Sequence, residues 1–167
     1  IGRRVGMLAC AGVLAAGGVN AAPIMHVHDS SGNLATVDVT TGTVSAIGTK
    51  FGDMTDLAFD PAGNLYGMSF TGLYSINATN AAVSFIGNHG VSGGNALVFG
   101  SNGTLYGAGG STTSLFTINP LTGASTSLGN MGFASGGDLA FNGGDLYLAS
   151  SSSQLIHINL GSIGSTA

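Results

Sequence analysis

DLAFDPAGNLYGMSFTGLYSINATNAAVSFIG, residues 56–87, is the stretch on which the fold turns. Leu57-Ala58-Phe59 is a short apolar run. Asp60 to Asn64 follows as a turn cluster, in which proline pre-sets one φ and glycine or asparagine accepts a positive one. Leu65 to Met68 is a second run, Phe70-Thr71-Gly72 a tight connection, and Leu73 to Asn77 a third run. Ala78 to Ala81 turns the chain again before Ala82 to Ile86. The stretch therefore predicts four short antiparallel strands in about 32 residues, a meander.

The unit recurs on both sides. Leu97-Val98-Phe99 with Asn102 to Gly107 repeats the first hairpin about 40 residues on. Leu139-Ala140-Phe141 with Asn142 to Tyr147 repeats it again, one turn residue shorter. The second hairpin recurs as residues 34–48, 73–87 and 115–129, and Leu155 to Asn159 begins a further copy. A period near 40 with four strands per unit is the mark of propeller blades. A strand-plus-helix repeat would need a run of 3.6-residue periodicity, and residues 22–167 contain none.

Composition agrees. The 167 residues include 30 glycines, no tryptophan and only 6% charged residues. All the acidic side chains are aspartates. Beyond the N-terminal segment Lys50 is the only strongly basic residue, which removes the electrostatic footprint expected of a nucleic-acid or anionic-membrane binder. Residues 1–21 read as an export signal: Arg3 and Arg4 form a positive start, Val5 to Val19 is apolar and small, and Val19-Asn20-Ala21 fits a small-x-small cleavage site. Cleavage there removes Cys10, the one cysteine, and leaves a chain without thiol chemistry. The expected layout is a signal peptide over 1–21 and a propeller domain over 22–167, with blades at about 24–47, 56–87, 95–129 and 138–163. The expected location is secreted, periplasmic or cell-surface, with no membrane span in the mature chain.

Ile24 to His28 aligns with the second strand of the unit, so the first blade lacks its innermost strand. The last blade has a ragged final strand. The outer two of four blades are thus incomplete and their gaps do not complement one another. An arc of a larger propeller is preferred to a small closed ring. Blade sheets are covered on both sides, so both faces should be apolar or small. Tyr74 and Ile76, Phe116 and Ile118, and Ile156 and Ile158 share one side; Thr36, Ser75 and Thr117 occupy the other. His157 stands in that small-residue position in the last blade, which predicts an uncovered face there.

The segments LAFDPAGNLYGMS, LYSIN and LFTINPLTGASTSLG resemble a bacterial secreted propeller repeat of the form LAFdpdGxLYgxs…LYxIdpxTGxxxxIG. The resemblance spans about Ile24 to Asn159. It implies the fold and export; many such proteins carry a C-terminal PEP-CTERM sorting segment, whereas Gly161 to Ala167 is polar, an ending that fits a truncated chain. The first hairpin also looks like NHL and lactonase-type repeats, whose enzymes place carboxylates and a metal at the central channel.

Function is less determined. Asp38, Asp60 and Asp145 sit where aspartate ordinarily bonds turn N–H groups. Asp53, Asp56 and Asp138 lie in or beside the connections between blades, 48–56, 87–96 and 129–138. In a propeller these share one face at the channel, the default place for a ligand. Asp53, Asp56, Asn88, His89, Asn95, Asn130 and Asp138 form the candidate binding face. His26 and His28 share a strand side but lack an evident third ligand for a metal. No catalytic residue, metal or cofactor is expected: calcium-loop spacing, a G-x-S-x-G elbow and a phosphate loop are all missing from the sequence. The expected function is a non-catalytic binding or surface module, its partner a glycan or another envelope or extracellular protein. The competing readings are a lactonase- or lyase-like propeller enzyme with its site at the channel mouth, and a purely structural surface protein.

Overall fold

The computed structural model describes residues 23–49 and 52–163. The expected signal peptide falls outside them. Four antiparallel meanders follow one another. The first is β1 (Ile24–His28), β2 (Asn33–Asp38) and β3 (Val44–Thr49). The second is β4 (Asp56–Phe59), β5 (Leu65–Met68), β6 (Gly72–Ile76) and β7 (Val83–Asn88). The third is β8 (Gly94–Phe99), β9 (Leu105–Gly109), β10 (Ser114–Ile118) and β11 (Ser125–Asn130). The fourth is β12 (Ser135–Asn142), β13 (Asp145–Ser150) and β14 (Leu155–Ile158). Strand order in each sheet is sequential, giving sheets of three, four, four and three strands. Among the described residues this is an incomplete all-β propeller whose outer two blades have three strands each.

Local chemistry explains the strands' ends. Asp60 receives Ala62 N (2.9 Å), Asn64 N (2.8 Å) and the Asn64 amide (2.8 Å), and so closes the turn after β4. Burial pushes the Asp60 carboxyl up, but these bonds outweigh it and hold it below the usual range. Asp38, Asn77, Asn119 and Asn159 each accept the N–H two residues on, so one Asx turn follows the third strand of all four blades. Gly143 and Gly144, both at positive φ, form the two-residue turn between β12 and β13 and explain the shortened hairpin there. Ser150 to Ser153, which the sequence suggests is a flexible loop, is a bonded turn: Ser150 N donates to Gln154 O, Gln154 N to Ser150 Oγ, and Ser151 N to Ala134 O.

The hydrophobic interior is divided. Leu34, Leu57, Leu65, Ile76 and Ala81 fill the space between the first two blades. Ala58, Met68, Leu73, Val91, Leu97, Leu105 and Ile118 fill the next. Ala96, Tyr106, Ala108, Leu115, Leu139, Leu146, Leu148 and Ile158 fill the last. Four blades joined in an open row share three such cores; a closed ring of four would have a further one between its ends. An aromatic contact recurs at each junction. His26 meets Phe59 (4.9 Å between centroids), Tyr66 meets Phe99 (5.2 Å), and Tyr106 meets Phe141 (5.6 Å). His26 thus takes the place that tyrosine holds in the other blades. Tyr147, at the same position in the last blade, turns to His157 instead (5.3 Å). The His157 side chain is 54% exposed, whereas Ser75 and Thr117 are half-buried, as the unmatched imidazole predicts for an uncovered face.

Candidate functional site

Because the strands alternate in direction, one end of the blades collects residues 52–56, 88–94 and 130–135 between blades with the 68–72 and 109–114 hairpins. All seven candidate residues lie at this end or at the strand starts that lead from it. They are not equivalent. Asp53, Asn88 and Asn130 are exposed, and Asn130 caps its own turn through Gly132 N (2.7 Å). Asn95 and Asp138 are half-buried. Asp56 and His89 are internal.

Asp56 joins two blades. Its Oδ1 accepts from Leu57 N (2.7 Å), and its Oδ2 from Leu97 N on the neighbouring blade (2.6 Å). Burial raises its carboxyl well above the usual range, the charge of Asp138 adds to the rise, and the two N–H donors oppose it. Asp138 holds the same repeat position and takes Leu139 N; burial raises it too. In the blade between them the position is Ala96. Two further bonds run beside this one. The Thr55 hydroxyl lies 2.9 Å from both the Met68 and Gly94 carbonyl oxygens, and the Asn95 amide donates to Ser135 O (3.3 Å). The channel side of the arc is therefore a chain of polar staples between blades.

His89 performs a similar task at the outer rim. Its Nδ1 accepts from Val91 N (3.0 Å), which leaves Nε2 protonated and donating to Ser69 O (3.1 Å). Burial lowers its pKa, with the Ser69 bond acting against the shift. The ring fills the room above Gly94, where a Cβ would overlap it, and the Ser125 hydroxyl donates to the His89 carbonyl from the next blade. His26 and His28 are also held below their usual pKa by burial.

Clefts open at the other end of the blades, where the sequence-based expectation did not look. One, of about 360 Å³, lies between the second and third blades and is lined by Asp60, Pro61, Tyr66, Phe99, Asn102 and Pro120. Its counterpart, of about 280 Å³, lies one blade further on and is lined by Asn102, Tyr106, Phe141, Gly144 and Leu160. The two share a plan: the junction's aromatic pair forms the floor, hairpin turns form the walls, and Asn102 borders both. Burial raises the Tyr66 hydroxyl's pKa, and the nearby Asp60 charge adds to the rise. The repeat spacing of these aromatics was visible in the sequence. Their location in strands made them look like interior alone.

No family model and no curated protein matches the chain. Solved structures do. A chain of a nidogen–laminin complex is 11% identical, with a TM-score of 0.67 over 92% of this chain and 60% of that one. A Bacteroides thetaiotaomicron protein of unknown function is 16% identical (TM-score 0.60, 80% of this chain and 43% of that one). An auxiliary nutrient binding protein from Bacteroides ovatus is 15% identical (TM-score 0.57, 80% and 37%). This chain spans less than two thirds of each of these structures. The neighbours are propeller-like, and at such identities the likeness is one of fold: an open row of propeller blades.

Proposed function

We propose that the protein is an exported, non-catalytic binding module that holds an uncharged, hydroxyl-rich ligand of the glycan class in the turn-end grooves. The observation that carries this reading is the paired grooves, each with an aromatic floor and an amide at its border. An aromatic floor with a few polar groups around it suits a sugar ring. The near absence of cationic side chains argues for a neutral ligand rather than an anionic one. The groups that acid–base chemistry would need at the connection end, Asp56 and His89, are committed to holding blades together. The likeness to auxiliary nutrient binding proteins supports extracellular binding as a role for such a fold. The exposed residues Asp53, Asn88 and Asn130, with Asn95 and Asp138, remain a second, polar contact face.

A glycan array followed by calorimetric titration tests the proposal. Asn102→Ala touches both grooves and should weaken saturable binding about tenfold, or ~1.4 kcal/mol. The variant also loses one turn bond to Thr104 N (3.0 Å), worth about 1 kcal/mol of stability, so folding survives. Binding should persist in chelator. Stoichiometric metal at the connection end, or turnover of a lactone or glycan, would overturn the reading.

A further inference from the structure

A third cavity, of about 720 Å³, opens on the second blade at the same end as the two grooves. Its wall is one cross-strand row, Tyr66, Ser75 and Ser84, and Asn64 and Asn77 of the adjoining turns border it. The row faces the third blade, since Tyr66 meets Phe99 there. The third blade carries Tyr106, Thr117 and Thr126 in the same row. Serines in the second blade therefore place two methyl groups fewer on this face, and what lines the wall is hydroxyl. None of the lining residues is charged.

The three cavities are continuous. Tyr66 borders both the 720 Å³ cavity and the 360 Å³ groove, and Asn102 borders that groove and the 280 Å³ one. From Ser84 in to Tyr66 is two strand spacings of about 5 Å, and from Tyr66 to Tyr106 one sheet spacing of about 10 Å, so the track runs on the order of 20 Å. That is longer than a disaccharide covers. Two amides stand along it with one orientation. Asn77 Oδ1 accepts from Thr79 N (2.9 Å) and the Thr79 hydroxyl (2.7 Å), and Asn102 Oδ1 accepts from Thr104 N (3.0 Å). With each oxygen committed to its turn, the amide NH2 is left to donate to a ligand.

We infer that the three cavities form one track for an extended, neutral oligosaccharide, with the Tyr66–Ser75–Ser84 wall as a further subsite and the Asn77 NH2 as its polar anchor. The inference rests on the glycan reading of the grooves.

Calorimetric titration with unbranched glucan, mannan, galactan and xylan oligosaccharides of two and six units tests it. Within a series that binds, six units should bind at least ~30-fold tighter than two, because one chain reaching a further subsite adds contacts without a second loss of overall freedom. Asn77→Asp keeps the turn, as Asp38 does in the first blade by accepting Thr40 N (2.8 Å), but exchanges a donor for an anionic acceptor. It should cut the six-unit advantage about tenfold with unchanged circular dichroism. Equal affinity for two and six units, or an advantage that Asn77→Asp leaves intact, overturns the inference and leaves the grooves as glycan sites. An absence of saturable binding in every series overturns the glycan reading, and the inference with it.

Discussion

Asp56→Ala lowers stability by about 3 kcal/mol in urea unfolding, because two buried N–H donors lose their acceptor at once and each unsatisfied donor costs on the order of 1–3 kcal/mol. The loss falls on the junction between the second and third blades, since Leu97 N belongs to the far side. The pH dependence has a definite sign. Burial, then the charge of Asp138, raises the Asp56 carboxyl in the folded chain. A raised carboxyl contributes stability that is fully present below the unfolded value, near 3.8, and is lost as pH rises through the folded value. Asp56→Asn removes that titration and keeps one oxygen acceptor. The Asn variant should therefore gain on the wild type as pH rises from about 4 to 8. His26, His28 and His89, held below their usual pKa by burial, titrate in the opposite sense but are common to both proteins and cancel. A stability gap that stays constant across that range would show that Asp56 is not desolvated as described.

Gly87→Ala should cost about 3 kcal/mol, at the upper end for overpacking. A Cβ there would overlap the Thr122 carbonyl oxygen outright, and a Cβ on Gly123 would reciprocally overlap the Gly87 carbonyl. Both obstacles are backbone, so no side chain can move aside. The blades' twist creates this contact by carrying the outer strand of one blade across the turn of the next. Thermal unfolding should drop by about 6–12 °C for a chain of this size. Gly63→Ala is the comparison. It has a positive φ but open space around it, and only the backbone strain of about 1 kcal/mol applies. If the two substitutions proved equal, conformation rather than close approach would explain Gly87.

The fold was readable because the turn residues and the apolar triplets both recur at one spacing. Leu57-Ala58-Phe59, Leu97-Val98-Phe99 and Leu139-Ala140-Phe141 mark inner strands without ambiguity, and the Asx residues mark where third strands end. His157 was legible for the same reason, as a break in a known pattern. The site was less so. Asp56 and His89 read as solvent-facing connection residues, because burial at the connection end depends on the neighbouring blade. Asp56 alternates with Ala96 and then Asp138, a hint that the position points inward. The grooves stayed hidden because their floor residues, Tyr66 with Phe99 and Tyr106 with Phe141, belong to different blades. Sequence spacing gives each tyrosine its strand, but the pairing follows only from how the sheets twist past each other.

The division of the interior into three clusters, each shared by two neighbours alone, sets how the molecule comes apart. Coupling passes from blade to blade and never across the arc, so stability is a sum of unit and nearest-neighbour terms. Among the described residues each end blade shares a core with one neighbour, the central two with two, so the end blades are the less protected. Amide exchange should therefore be fastest in β1–β3 and β12–β14 and slowest in β5, β6, β9 and β10, with partly open states that keep the central pair intact.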